Sequence, residues 1–385
     1  MSLPPRVGVF CLSFLPYSQT FVYEELVHCT RYRPEVFTPL RRNSDRFPFP
    51  AVHAMASESP AGSFRWRERL YRFTGVSPAF HRRLRTGGFR VLHAHFGWAA
   101  MYALPHAALL DLPLVVTFYG YDVPLLSSPR RFGPRHWRYW LGSRWLFRRA
   151  DRILAVSRDL VDRLVALGAP PERTQVKHIG VAIPPPRAGG RAPGPLRVLM
   201  VGRFVEKKGF EYGIEAFGRA VSQGLDARLR IAGDGPLRPA YERLLGRLGL
   251  GDRVEFLGVL RHAEVLEAMR EADVFLLPSV TARNGDREGN PTVLKEACAL
   301  GLPVVATRHA GIPEAVEDGV SALLVPERDA AALADRLALL LGDPELRARL
   351  GGAARERMIR DFDIRRITAG VEALYDEVVE ARARR

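Results

Sequence analysis

Short apolar runs alternate with longer helical stretches along the whole chain. In the first half the runs at 7–10, 35–38, 91–94, 114–118 and 152–156 predict strands. In the second half those at 196–201, 227–232, 253–257, 273–277, 303–307 and 322–325 do the same. Several are apolar at all positions or all but one, the pattern of a parallel sheet covered on both faces. Strands alternating with helices predict α/β architecture.

Between the halves, residues 184–195 read Pro-Pro-Pro-Arg-Ala-Gly-Gly-Arg-Ala-Pro-Gly-Pro, which continues neither a helix nor a central strand. The expected organisation is a first domain over 1–186, a linker at 187–195, a second domain over 196–362 and a terminal helix over 363–385 that packs back on the first domain. Both domains should be doubly wound and face each other across a cleft, with ligands beyond the carboxyl ends of the strands.

Composition adds bounds. A chain of 385 residues suits two domains of ordinary size, and 47% hydrophobic residues suffice for real cores. No segment approaches the ~18 uninterrupted apolar residues of a membrane span. The N-terminus lacks the apolar core of a signal peptide, so a cytosolic location is expected. Cys11, Cys29 and Cys298 are odd in number and match no zinc or redox spacing, which reads as small buried hydrophobes in a reduced compartment.

The charge is uneven. Residues 1–190 hold 27 Lys and Arg against 12 Asp and Glu, whereas the remainder balances 30 against 30. All five tryptophans lie in the basic half. An anionic partner for that half follows. Residues 65–73 and 130–149 interleave arginine with aromatics. On a helix Trp137, Trp140, Leu141 and Trp145 would share one face, with Arg131, Arg135 and Arg138 elsewhere. Such a helix suits an anionic membrane surface, on the inner face of the cell membrane. The plainer alternative is a helix packed by its aromatic face. Nucleic acid is disfavoured as a partner, because the second half is balanced and shows no zinc-finger or RNP-type signature.

Four segments of the second half place polar groups just after a strand. Gly202-Arg203-Phe204-Val205-Glu206-Lys207-Lys208-Gly209 sets two cations, Arg203 and Lys208, five residues apart behind a glycine. A guanidinium fork and an ammonium point charge suit phosphate, as they also suit a solvated loop. Gly233, in Ala232-Gly233-Asp234-Gly235-Pro236, permits close approach of a ligand or simply forms a turn. In Glu288-Gly289-Asn290-Pro291-Thr292-Val293-Leu294-Lys295-Glu296, Asn290 suits an N-cap and Pro291 the first helical position. That start would free the N–H groups of Thr292 and Val293 for an anion. Glu288 and Glu296 could bracket a nucleotide sugar. The fourth segment is His309-Ala310-Gly311-Ile312-Pro313-Glu314.

Together these segments resemble the donor domain of glycosyltransferase family 4, retaining enzymes of the GT-B fold. The resemblance covers most of 196–330 and places Arg203 and Lys208 at the donor diphosphate, and Glu288 and Glu296 at the ends of a Glu-x7-Glu motif. The first half is similar less tightly. Ser18-Gln19-Thr20-Phe21, Glu24-Glu25 and His93-Ala94-His95-Phe96-Gly97 resemble the exopolysaccharide-building subgroup. Thr117-Phe118-Tyr119-Gly120-Tyr121-Asp122 matches another family segment, with Tyr119 where many members carry histidine. Tyrosine donates a hydrogen bond but forms no imidazolium, so His95 becomes the stronger candidate for contact with acceptor or sugar. Ser18, Tyr119 and Asp122 are weaker acceptor-side candidates.

The resemblance implies retention of anomeric configuration by front-face attack. The chain is read as having no Asp-x-Asp pair, and no His/Cys/carboxylate cluster has ligand spacing. No metal and no cofactor are expected beyond the nucleotide-sugar co-substrate. Arg203, Lys208 and the helix start near Asn290 would then stabilise the leaving diphosphate. The acceptor is read as a glycan or a lipid-linked molecule. A nucleotide-sugar epimerase or hydrolase on the same fold, a nucleic-acid-binding protein and a non-catalytic sugar-nucleotide sensor remain as alternatives.

Overall fold

The computed structural model describes residues 4–16, 19–58, 63–120, 122–127, 137–186 and 194–384. The chain divides into two compact units, Met1–Gly180 with Ile364–Arg385, and Val181–Asp363. The second unit thus begins ahead of the Pro/Gly stretch.

The first unit is built on seven strands: β1 (Arg6–Phe10), β2 (Arg33–Thr38), β3 (Val52–Ala54), β4 (Phe89–His95), β5 (Leu114–Phe118), β6 (Arg152–Ala155) and β7 (Thr174–Val176). They form one sheet in the order β3-β2-β1-β4-β5-β6-β7, and every pairing is parallel. Successive side chains of a strand point to opposite faces. On β4, Leu92 and Ala94 therefore enter one core with Phe10, Val116 and Phe118, while Val91 enters the other with Val7, Val9 and Val115. His93 and His95 share the second face by the same alternation.

That second face is closed by the helix Thr20–Val27 and by the C-terminal helix Ile364–Ala383, whose Val371, Leu374, Tyr375 and Val378 join the core. Glu372 pins the C-terminal helix. Its buried Oε1 accepts the backbone N–H groups of Thr30, Arg31 and Tyr32 at 2.9, 2.8 and 2.9 Å.

The second unit repeats the plan with β8 (Leu196–Val201), β9 (Ala227–Ala232), β10 (Val254–Gly258), β11 (Val274–Leu277), β12 (Val304–Thr307) and β13 (Leu323–Val325). The order is β10-β9-β8-β11-β12-β13, again parallel throughout. In each sheet the strand order reverses beside the first strand, at β1/β4 and β8/β11. The crevice at such a reversal is where doubly wound sheets bind ligands. Gly233, just after β9, lets its turn close on the turn after β8: at φ 135° its missing Cβ would stand 1.9 Å from the Gly202 carbonyl oxygen.

Two sequence expectations need correction, and one of the two readings of the helix at 137–149 is removed. The edge strands β3 and β7 have three residues each, too few for a legible apolar run. Arg253 belongs to the 3-10 turn Gly251–Arg253 that precedes β10. The helix Trp137–Arg149 buries Tyr139, Leu146 and Phe147, which leaves Leu141 and Trp145 exposed and Trp140 half-buried. Arg138 is tied down, donating to the carbonyls of Arg72 and Phe73 at 2.6 and 2.9 Å. Residues 130–136 of that stretch and the Trp137 side chain lie outside the described residues. Cys11 and Cys298 are buried and Cys29 is half-buried.

Glu372→Ala would strand three backbone donors at a buried site. A loss of about 3 kcal/mol is expected, read by urea unfolding against wild type; an unchanged midpoint would show that the carboxylate carries no such load.

Candidate active site

The second unit gathers its chemistry at the carboxyl ends of β8, β11, β12 and β13. The turn after β8 exposes Arg203, whose guanidinium has no partner among the described residues. Lys208 lies further along, and its Nζ stands 3.0 Å from Glu288 Oε1. Lys207 Nζ is 4.0 Å from the same oxygen and donates to Asp286 Oδ1 at 3.2 Å. Burial pushes the Glu288 carboxyl upward, and the Lys208 and Lys207 ammonium groups more than offset it, holding Glu288 below the usual glutamate range. The site therefore keeps a buried carboxylate charged beside a cation.

The loop that carries Glu288 is fixed from beneath. The Glu288 N–H donates to His309 Nε2 at 2.9 Å, and His309 Nδ1 faces Glu327 Oε1 at 2.6 Å. Burial draws the His309 imidazole below its ordinary range, with Glu327 opposing. The sequence singled out the segment at His309 but gave that residue no role. Glu327 had no signal at all, since the contact spans 18 residues without a local pattern.

Asn290 does not cap the next helix. The helix is Thr292–Ala299 with Pro291 as its N-cap, at φ −66° and ψ 114°. The Asn290 Oδ1 is taken by Lys295 Nζ, and its Nδ2 is buried without a partner. Helix geometry still leaves the N–H groups of Thr292 and Val293 without intrahelical acceptors. Glu296 lies on that helix and meets His262 Nε2 at 3.0 Å. Gly202 and Gly233 bring the β8 and β9 turns together, with the Gly202 N–H donating to the Ala232 carbonyl at 2.9 Å.

In the first unit His95 closes β4. Its Nδ1 lies 2.7 Å from the Tyr119 hydroxyl, and its buried Nε2 has no partner. Burial drives this imidazole well below the ordinary histidine range, with Lys177 adding to the effect. His95 is thus neutral, with one nitrogen unengaged. Asp122 is fully buried, and its carboxylate accepts the N–H groups of Gly97 and Gly120 at 2.9 and 3.1 Å. It is committed to the backbone rather than offered to a ligand. Burial raises it to about 6, against those N–H bonds. Ser18 lies outside the described residues.

Beneath His95 stands a group that sequence spacing concealed. Glu25, His93 and His95 bring ligand atoms within 4.8 Å of one another. They fit a metal poorly. Both nitrogens of His93 are engaged, by the Tyr375 hydroxyl at 2.6 Å and by Thr117 Oγ1 at 2.7 Å. The other oxygen of Glu25 holds Lys177 Nζ, so an ammonium already supplies the positive charge. An Asp-x-Asp does occur in the chain, Asp361-Phe362-Asp363. Asp361 pairs with Arg360 at 2.8 Å, and Phe362 is buried between the two acids.

Comparison with known proteins follows the same division. The family described as Glycosyl transferases group 1 matches residues 186–357, and Glycosyltransferase Family 4 matches residues 23–183. A Salmonella typhimurium protein named as the colanic acid biosynthesis glycosyltransferase WcaL is 38% identical over 293 residues, 75% of this chain and 70% of that protein. The chain belongs to glycosyltransferase family 4. The transferase is also 37% identical over 249 residues to the amylovoran biosynthesis glycosyltransferase AmsK of Erwinia amylovora, 62% of this chain and 58% of that one. Among solved structures, Anabaena HepE in complex with UDP and glucose aligns over 97% of this chain and 100% of its own, with a TM-score of 0.75 at 20% identity. Sucrose-phosphate synthase from Thermosynechococcus elongatus gives 0.75 at 21%, over 98% and 100%. The fold of the transferase is GT-B.

The ion pair at Glu288 sets a pH signature. A carboxylate held below its ordinary range stabilises the fold above that range, and the benefit is lost as pH falls through the lowered value. In Lys208→Met the largest opposing charge is gone and burial pushes Glu288 up. The thermal-midpoint gap between wild type and Lys208→Met should be widest at neutral pH and shrink toward about pH 4. A gap independent of pH would contradict the pairing.

Proposed function

We propose that the transferase moves a sugar from a nucleotide-sugar donor to a glycan or lipid-linked acceptor, with retention and without a metal ion, in the synthesis of a cell-surface polysaccharide. The observation that carries this reading is the charged Glu288 paired with Lys208 at the strand ends that also present Arg203. As the bond from the sugar to the diphosphate breaks, negative charge grows on the leaving oxygen. Arg203, Lys208 and the N–H groups of Thr292 and Val293 stabilise it where it develops. Glu288 orients the sugar and steadies the positive charge on the anomeric carbon, while the acceptor attacks from the same face and passes its proton to the leaving phosphate. Glu296, one and a half turns along its helix, holds the ribose. Donor contacts at Gly202, Gly233, Asn290 and Pro291 are made through backbone and amide. His95 Nε2 meets the acceptor or the transferred sugar. The relatives named for colanic acid and amylovoran synthesis support the polysaccharide role, and the UDP and glucose of HepE make UDP-sugars the first donors to try.

The reading also places the transferase on the inner face of the cell membrane. On the helix Phe64–Thr74, Trp66, Leu70 and Phe73 form one stripe, and Leu141 and Trp145 form another on Trp137–Arg149. Their exposure runs from 47% at Leu70 to 74% at Phe73, too much apolar surface for water alone. The Arg138 bonds to Arg72 and Phe73 bring the end of the first helix to the start of the second. The exposed arginines Arg65, Arg69, Arg72, Arg144 and Arg148 accompany the stripes. A second copy would set arginine against arginine, so an anionic lipid surface is the fitting occupant.

Arg203→Ala and Glu288→Ala should each lower transfer by roughly 10²–10³, measured as glycosylated product with a donor chosen by thermal shift over nucleoside diphosphates and their sugars. Full transfer in both variants, an inverted anomer, or activity that chelation abolishes and magnesium restores would overturn the mechanism. Wild type should float with phosphatidylglycerol vesicles and be released by salt, and Trp66→Ser with Trp145→Ser should stay behind. Absence of salt-sensitive flotation would refute the membrane site.

A further inference from the structure

The loop between β11 and Thr292 is stapled at two points by a single pair of side chains. Near its start, Glu327 accepts the Thr281 N–H at 2.7 Å and the Thr281 hydroxyl at 3.2 Å. At its far end, His309 accepts the Glu288 N–H at 2.9 Å. His309 and Glu327 join each other at 2.6 Å, so Thr281 and Glu288 are fixed through one connected unit. The donor identities settle the proton. A backbone N–H only donates, so the Nε2 that faces Glu288 must be bare. The ring proton therefore sits on Nδ1 and is given to Glu327. The imidazole is fully buried, so no water stands in for either bond.

The backbone around this unit is unusual in the same way on both sides. Ala310, directly after His309, has φ 43°, and Arg328, directly after Glu327, has φ 63°. Residues with side chains resist this region, and such turns persist where the surroundings over-determine them. The two turns that present the pair are thus held in place rather than relaxed.

We propose that His309 and Glu327 form a positioning pair for Glu288: the neutral imidazole anchors the backbone of the sugar-side carboxylate and lets it go on taking a second proton. The proposal rests on Glu288 acting at the sugar. A doubly protonated ring would turn Nε2–H toward the Glu288 N–H, donor against donor, and the loop would lose its far anchor. The groups facing the ring are Glu327 beyond β13, and Glu288 and Arg287 on the loop, with Lys208 and Lys207 standing behind Glu288 from the turn after β8. Burial lowers the imidazole and Arg287 adds to this, against Glu327 and Glu288, so release comes on the acid side of the ordinary histidine range. Neither residue touches the reacting atoms. Their effect is on turnover rather than on the grip of Arg203 and Lys208 on the diphosphate.

Three measurements decide it. In His309→Ala turnover should fall about 10²-fold, the scale of a small misplacement of a catalytic group, while the affinity for nucleoside diphosphate stays within about threefold. In His309→Gln the amide oxygen can still accept the Glu288 N–H and does not titrate. Most of the turnover should return, and the acid limb of the pH profile of kcat should retreat to the lower pH at which Glu288 itself takes up a proton. Heteronuclear NMR of the histidine ring nitrogens, with His309 assigned by its loss in His309→Gln, should show the proton on Nδ1. Full turnover in His309→Ala, an unchanged acid limb in His309→Gln, or a proton on Nε2 would each overturn the proposal. The NMR result stands whether or not the wild type transfers sugar, and the glutamine variant serves if the alanine variant fails to fold. Absence of transfer by wild type would therefore count against the assigned function and leave the pair to be judged by its tautomer.

Discussion

Glu288 keeps its charge where water scarcely reaches, and it does so because the Lys208 ammonium stands 3.0 Å away and Lys207 lies just behind. An isolated buried carboxylate would take up a proton instead. Much of the local architecture reads as the means of keeping that pair together. The lysines come from the turn after β8 and the glutamate from the loop after β11, two strands that are neighbours only because the strand order reverses between them. The glycines that let the β8 and β9 turns touch, and the histidine that holds the Glu288 backbone, serve the same meeting point from other strand ends. In a wholly parallel sheet all these ends lie on one side, so residues scattered over more than a hundred positions converge without any long excursion of the chain.

What could be read from the sequence follows from how locally each feature is encoded. Central strands such as β8 and β5 are apolar but for one residue each, β9 alternates arginine with apolar residues at its start, and the bounds of all three are legible to the residue. Arg203 and Lys208 are legible as cations two and seven residues past β8, whereas Glu288 stands eleven residues past β11 and is marked by its Glu-x7-Glu spacing to Glu296 rather than by a strand end. The edge strands β3 and β7 are too short to form a pattern. The Asn290 cap fails because its side-chain oxygen has a stronger suitor in Lys295, buried five residues on. A cap preference describes what an exposed helix end would choose, not what a buried ammonium takes first.

The polar networks were invisible for a different reason. Glu25 meets Lys177 across 152 residues, and His93 meets Tyr375 across 282. Periodicity has no access to such pairs. A hint existed in the histidines spaced two apart on an otherwise apolar strand, which the alternation of a strand must place on one face. The aromatic stripe at 137–149 marks an amphipathic helix but not which side is dry: the structure turns Tyr139 and Phe147 inward and leaves Leu141 and Trp145 exposed, so packing by that aromatic face is removed.

The C-terminal helix bears on how the molecule comes into being. The groove that it fills is lined by Val7, Val9, Leu26 and Val36, all near the start of the chain. Residues 364–383 leave the ribosome only after the entire second unit. At roughly 5–20 residues per second, the first unit spends on the order of ten seconds or more with that groove unfilled. Until residues 364–383 arrive, its nascent form carries an open apolar seam along that groove.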